Sequence, residues 1–206
     1  MARKPESLDF TEAAAVPHVG LTALAAIEAA DPQPGQIVVV IGATGGVGSF
    51  VTQLAGARGA TVVAVTAGSG AAQARDYGAA EAIDYGAQDV GAALRARYPS
   101  GIDIIIATYG DLEVLTGVAR SLRPGGVVVS PAIRPGDAEV ALKPLGVTFK
   151  GANRLPPARL PELTALIDGG QLRVPPTTLF PLEATDAALS AMAGGHVRGK
   201  LVVAVR

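Results

Sequence analysis

The 206-residue chain has no cysteine and no tryptophan, only two histidines, and an aromatic content of 4%. The missing cysteines exclude disulfides and thiolate metal sites. The two histidines, His18 and His196, stand far apart and show no metal-ligand spacing. Nor do they complete a Ser-His-Asp or Cys-His constellation, so no catalytic acid or base is assigned. Charge of one sign is also lacking: 17 Lys and Arg against 18 Asp and Glu give a net charge of −1. Nucleic acid and anionic membrane surfaces therefore have no electrostatic footprint to meet. No apolar run has the length of a membrane span, and the opening MARKPESLDF lacks the apolar stretch of a secretion signal. The expectation is a cytoplasmic protein with no metal, nucleic-acid or membrane partner.

What is present suits a folded domain. Hydrophobic residues make up 49% of the chain and charged residues 17%, enough apolar material to bury a good core. The 26 glycines and 15 prolines form about a fifth of the sequence, high for a globular protein but below the low-complexity range. The length fits one domain, or one domain with an appendage.

Five β-rich runs recur at a steady interval: IVVVI from Ile37, TVVAVT from Thr61, EAIDY from Glu81, IDIIIA from Ile102 and GVVVS from Gly126. The first, second and fourth are continuously apolar, as strands buried on both faces of a parallel sheet are. Between them lie helix patterns. Val47, Phe50, Val51, Leu54 and Ala55 share one helical face. Asp111 is placed to cap a second helix, whose stripe is Leu112, Leu115, Ala119 and Leu122 before RPGG ends it. Alternation at this spacing predicts an α/β fold, a doubly wound parallel (Rossmann) sheet of six strands in the order 3-2-1-4-5-6.

Outside this core, residues 1–30 read as a helical segment that Pro17 should break or kink. Residues 31–172 form the Rossmann unit, with a sixth strand near Gly146–Lys150 and a helix over Ala158–Asp168. Residues 173–206 read as an appendage of strand, helix and strand.

The run VVVIGATGGVGSF sets Gly42, Gly45, Gly46 and Gly48 directly after the first buried strand. Glycine weakens strands and helices alike, so its clustering at their junction needs a reason. A tight turn is one. A second is that strand, glycines and helix together let a dinucleotide pyrophosphate approach bare amides at a helix N-terminus. The position after the first strand of a five-unit βα array favours the second.

Several further stretches resemble the medium-chain dehydrogenase/reductase superfamily, in its zinc-independent quinone-oxidoreductase branch. They are LDFTEAAAVPHVGLTALAAI, GATGGVGSFVTQLAGARGATVVAV, YGAAEAIDY, SLRPGG and GGHVRGKLVV, and they run in the expected order along nearly the whole chain. The resemblance implies an NADP(H)-dependent oxidoreductase without zinc. In the family a catalytic domain of roughly a hundred residues, ordinary domain size, precedes the cofactor domain and covers the nicotinamide. This sequence resembles the cofactor half alone, so the substrate wall is expected from a second polypeptide, from an oligomer or from a further N-terminal region. Relatives dimerise through the strand matching GVTFK, which makes a homodimer through Gly146–Lys150 the expectation.

Carried over by position, the pyrophosphate meets the backbone amides of Gly45, Gly46, Val47 and Gly48, with Gly42 permitting the sharp turn of this cofactor loop, although Val47 also suits core packing. Thr22 lies near the nicotinamide, unless its hydroxyl simply bonds the preceding helical turn. Gly68 and Ser69 follow the second strand, where NAD-specific proteins carry an acid. None stands there, which favours NADP, yet no Lys or Arg follows until Arg75. Tyr85 falls near the adenosine or closes its strand by packing. Tyr109 stands where relatives often carry a diglycine and narrows the crevice. Ser130 and Ala132 border the nicotinamide, and Lys150 and Asn153 are polar loop residues beyond the sixth strand. Two other readings stay open: a non-redox cyclase or isomerase acting on a hydrophobic metabolite, and a binding protein without chemistry.

Overall fold

The computed structural model describes residues 2–195 and 197–205. Its order is α1 (Phe10–Ala14), α2 (Val16–Ala30), β1 (Ile37–Ile41), α3 (Gly46–Ala57), β2 (Thr61–Thr66), α4 (Ala71–Asp76), β3 (Glu81–Asp84) and α5 (Val90–Arg97). Then follow β4 (Ile102–Ala107), α6 (Leu112–Ala119), β5 (Leu122–Ser130), α7 (Pro135–Leu142), β6 (Thr148–Gly151), α8 (Leu160–Asp168), β7 (Thr177–Pro181), α9 (Thr185–Ala193) and β8 (Lys200–Ala204). The first six strands form one sheet in the order β3-β2-β1-β4-β5-β6, and β7 pairs with β8 in a second. Every pairing is parallel. The doubly wound fold expected from the strand spacing is the fold observed.

β1 shows why its residues read as an unbroken apolar run. Val38 and Val40 face one core with α2, α3 and α8, while Val39 and Ile41 face the other with α5, α6 and α7. Side chains alternate across a strand, so a strand covered on both faces must be apolar at every position. Phe50, Val51 and Ala55 of α3 are fully buried, with Val47 and Leu54 partly so. The Asp111 carboxylate accepts the Val114 amide at 3.0 Å and caps α6.

Three boundaries differ from the sequence expectation. The break in the first helical segment falls at Ala15, and Pro17 sits in the first turn of α2, where a missing N–H costs nothing. β5 starts at Leu122 rather than Gly126: Ile102 pairs with Leu122 but Ile104 with Val127. The intervening RPGG is a bulge rather than a helix-ending turn, because Pro124 has no donor and Gly125 takes φ +77°. A 3-10 turn over Pro157–Arg159 shortens the predicted helix to α8.

β1 and β4 are neighbours, and their connections leave in opposite directions. Their carboxyl ends form the switch point at which open α/β sheets bind ligands.

Candidate dinucleotide site

The loop after β1 is built by close approach of its own backbone. Gly42 takes φ +80°, and a Cβ there would lie 2.8 Å from Tyr109 Cβ and 2.9 Å from Thr108 Oγ1. Thr108 in turn donates its hydroxyl to the Ile41 carbonyl at 2.8 Å and locks β1 to the end of β4. A Cβ on Gly48 would sit 2.0 Å from the Gly42 carbonyl oxygen, so α3 packs on the loop only with glycine there. Gly46 is bounded by Val19 Cγ1 and by the Gly199 carbonyl, 3.0 and 3.2 Å from its absent Cβ.

Gly45 is different. Its φ of −73° suits any residue, and a Cβ would meet only the Gly42 carbonyl, at an ordinary 3.4 Å, with no other described atom within 4 Å beyond its chain neighbours. Internal packing therefore does not require glycine at 45. Glycine there leaves the backbone open to close approach by a group outside the protein.

The amides fit such a group. Gly45 N–H donates to the Gly42 carbonyl at 3.0 Å, so it is not available to a phosphate, which corrects that part of the expectation. Among the described residues no side chain caps α3; the Gly46 amide faces the Gly199 carbonyl in the parallel Gly45–Gly199 bridge, and the amides of Val47 and Gly48 have no acceptor. Two unpaired donors at a helix N-terminus, beside a backbone without Cβ, suit a diphosphate. Beyond the loop a cavity of about 1110 Å³ opens from Gly42 between Tyr85 and Tyr109 toward the α5–α6 groove. Tyr85 and Tyr109 are 44% and 59% exposed, leaving both rings free to stack on a planar group.

Elsewhere the structure redistributes the expected roles. Thr22 is buried and donates to the His18 carbonyl at 2.8 Å: its hydroxyl is spent inside its own helix. Ser130 is 1% exposed. Its hydroxyl donates to the Ala107 carbonyl at 2.8 Å and accepts the Ala132 and Ile133 amides at 3.1 and 3.2 Å. Ser130 therefore ties β4 to β5 and offers no free hydroxyl to a ligand, whereas Ala132 stands exposed beside it. Lys150 donates to the Ala29 carbonyl at 2.8 Å and caps the end of α2. His18 is exposed, and His196 lies outside the described residues.

Gly68 and Ser69 form an exposed 3-10 turn after β2. Asp84, from β3, lies against it, with Oδ2 2.3 Å from where a Gly68 Cβ would be. The segment between α9 and β8 crosses the same region. Gly199 N–H donates to the Thr44 carbonyl at 3.0 Å, and Gly199 pairs with Gly45 in a parallel bridge. Gly195 lies beside the Tyr109 hydroxyl, and Arg198 donates to Ser69 Oγ. Sequence reasoning missed Arg198, Asp84 and this strap. Only the repeated glycines of GGHVRGK hinted that the segment passes close to another backbone.

The family described as zinc-binding dehydrogenase matches residues 77–203, well over half of the chain. The chain belongs to the medium-chain dehydrogenase/reductase superfamily.

A mitochondrial NAD(P)H oxidoreductase from Mus musculus is 31% identical over all of this chain and 58% of its own length. A 2-methylene-furan-3-one reductase from Solanum lycopersicum is 29% identical over 98% of this chain and 49% of its own. Among solved structures, the quinone oxidoreductase from Coxiella burnetii superposes with a TM-score of 0.89 at 30% identity. It covers 100% of this chain and 64% of that one. This reductase-superfamily chain thus spans about half the length of the curated relatives it matches.

The zinc of the family's description does not fit the residues here. The sequence has no cysteine, and among the described residues no group of three or more His, Asp or Glu is placed to hold a metal. A nicotinamide dinucleotide does fit. The amides of Val47 and Gly48 would hold its diphosphate, and Tyr85 and Tyr109 would flank the adenosine. When bound, it supplies a hydride acceptor or donor, and the protein's task is to orient it. No helix among the described residues is long and apolar enough to cross a membrane.

Proposed function

We propose that this chain carries the NADP(H) site of an oxidoreductase acting on quinones or enones, with the substrate wall supplied by a further polypeptide segment or a second chain. The observation that carries the reading is Gly45. Neither backbone conformation nor packing calls for glycine there, and unpaired amides follow it at a helix N-terminus on the sheet's switch point. The named activities of the relatives, an enone reductase and an NAD(P)H oxidoreductase, agree with it.

The need for a covering segment has its own support. The β7–β8 sheet has two strands only, and such a pair is marginal alone. On it and its helix, Leu179, Leu182, Leu189 and Met192 are each about half exposed, and Phe10 is 84% exposed. The occupant proposed for this face is the substrate-covering segment that makes the relatives about twice as long. β6 lies at an edge of the main sheet, where an unpaired strand invites a partner. A homodimer through this strand is part of the proposal, and light scattering after size exclusion tests it.

Titration with NADPH and NADH, followed by nicotinamide fluorescence and by melting temperature, tests the cofactor reading. Saturating ligand is expected to stabilise the fold by RT ln(1 + [L]/Kd), about 2.7 kcal/mol at a hundred times Kd. No response at millimolar concentrations of either nucleotide overturns the proposal. Turnover of a candidate substrate without nucleotide would point instead to non-redox chemistry.

A further inference from the structure

The turn after β2 carries neither acid nor base of its own: Ala67, Gly68, Ser69 and Gly70 are all uncharged. A phosphate monoester on the 2′ position of a ribose, close to a dianion at neutral pH, needs a cation there. The chain's next base, Arg75, lies in the last turn of α4 and makes no hydrogen bond or ion pair to this turn among the described residues.

The fold brings a base from the far end of the sequence. Arg198 donates to Ser69 Oγ across 129 residues. Among the described residues it forms no ion pair. A guanidinium has five N–H donors, and here its partner is a neutral hydroxyl, so most of its capacity is unspent. Its position is fixed by the residue that follows. Gly199 takes φ +73°, and a Cβ there would lie 2.0 Å from the Pro176 carbonyl oxygen. Gly199 is also tied to the Thr44 carbonyl and bridged to Gly45. The strap that carries Arg198 is thus anchored on the same glycine loop that would hold the diphosphate.

One charge opposes it. Asp84 also faces the turn, with Oδ2 over Gly68 and Oδ1 accepting the Gly86 amide at 2.9 Å. The Gly86 bond holds this carboxylate in place.

We infer that Arg198, with Ser69, is the clamp for the 2′-phosphate and sets the preference for NADP(H) over NAD(H). The inference rests on the dinucleotide reading above. Arg198 takes the part that a base following β2 would otherwise play, and it does so from the C-terminal strap. A bidentate guanidinium bond to the phosphate replaces its bond to Ser69, whose hydroxyl then turns to the same phosphate.

The test is equilibrium titration of the full chain with NADPH, NADH, 2′,5′-ADP and 5′-AMP, in the wild type and in Arg198→Ala, Arg198→Lys and Arg75→Ala. The wild type is expected to bind NADPH more tightly than NADH, and 2′,5′-ADP more tightly than 5′-AMP. Arg198→Ala should weaken the two 2′-phosphorylated ligands by about tenfold to a hundredfold and the other two by less than about threefold. Arg198→Lys should fall between, because a point charge replaces the fork, and Arg75→Ala should change nothing. An unaltered melting temperature in Arg198→Ala separates lost recognition from a displaced strap. Equal weakening of all four ligands, or no weakening, overturns the inference while leaving the dinucleotide site standing. Failure of the wild type to bind any of the four overturns both.

Discussion

Gln53 and Arg173 exchange two hydrogen bonds across 120 residues: Gln53 Nε2 donates to the Arg173 carbonyl at 2.9 Å, and Arg173 N–H donates to Gln53 Oε1 at 2.8 Å. The side-chain amide thus behaves as a strand partner for the segment leading into β7. Gln53 is 8% exposed and Arg173 is exposed, so loss of the Gln53 side chain would break a part-buried pair of bonds at the edge of the protein. Gln53→Ala is expected to cost about 1–3 kcal/mol, read as a lower denaturant midpoint. An unchanged midpoint would show that water replaces the pair.

The two glycines Gly45 and Gly48 should respond oppositely to alanine. At Gly48 the new Cβ would collide with the Gly42 carbonyl at 2.0 Å, backbone that cannot step aside. Gly48→Ala should therefore destabilise by about 1–3 kcal/mol. At Gly45 the nearest atom is 3.4 Å away, and alanine is only a weaker cap than glycine. Gly45→Ala should stay within about 1 kcal/mol of wild type in stability and lose at least about tenfold in NADPH affinity. Unchanged affinity in that variant would count against a phosphate at this loop.

Ser130 illustrates a residue whose place at the carboxyl end of β5 does not make it a ligand group. Its buried hydroxyl serves one carbonyl and two amides. Ser130→Ala should lower stability by about 1–3 kcal/mol, with nucleotide affinity changing little once the folded fraction is accounted for. A large affinity loss in a fully folded variant would return Ser130 to the binding surface.

Tyr98 gives the stability a pH signature. Burial, and then its hydrogen bond to the Glu81 carboxylate at 2.7 Å, push its pKa from 10.0 up to about 12. Between these values the unfolded chain has lost the proton that the folded one keeps, so stability falls as pH rises. The contribution is complete below about pH 10 and disappears toward about pH 12. Denaturant midpoints measured from about pH 9 to about pH 11.5 should decline, and Tyr98→Phe should reduce the slope. Tyr77, also raised by burial, accounts for part of what remains. A slope identical in Tyr98→Phe and wild type would contradict this assignment.

Much of the fold was legible because its signals are local. IVVVI and IDIIIA are apolar at every position because both faces of their strands are covered, and Asp111 announces α6 by capping it. The RPGG stretch misled because a turn sequence looks the same whether it ends a helix or bulges a strand. The register of Ile102 on Leu122 and Ile104 on Val127 depends on a neighbouring strand that the local sequence does not contain.

By itself the sequence determined the alternation of strands and helices, the strand order they imply, and the glycine loop after β1, since periodicity and the backbone freedom of glycine act within a few residues. Tertiary structure alone decided which charges meet at Ser69. Arg198 comes from the C-terminal strap and Asp84 from β3 in mid-chain, and Gly199 settles on Gly45. The physical reason is range: a side chain's partner across the sheet is chosen by the packing of every element between them, and no short stretch of sequence carries that information.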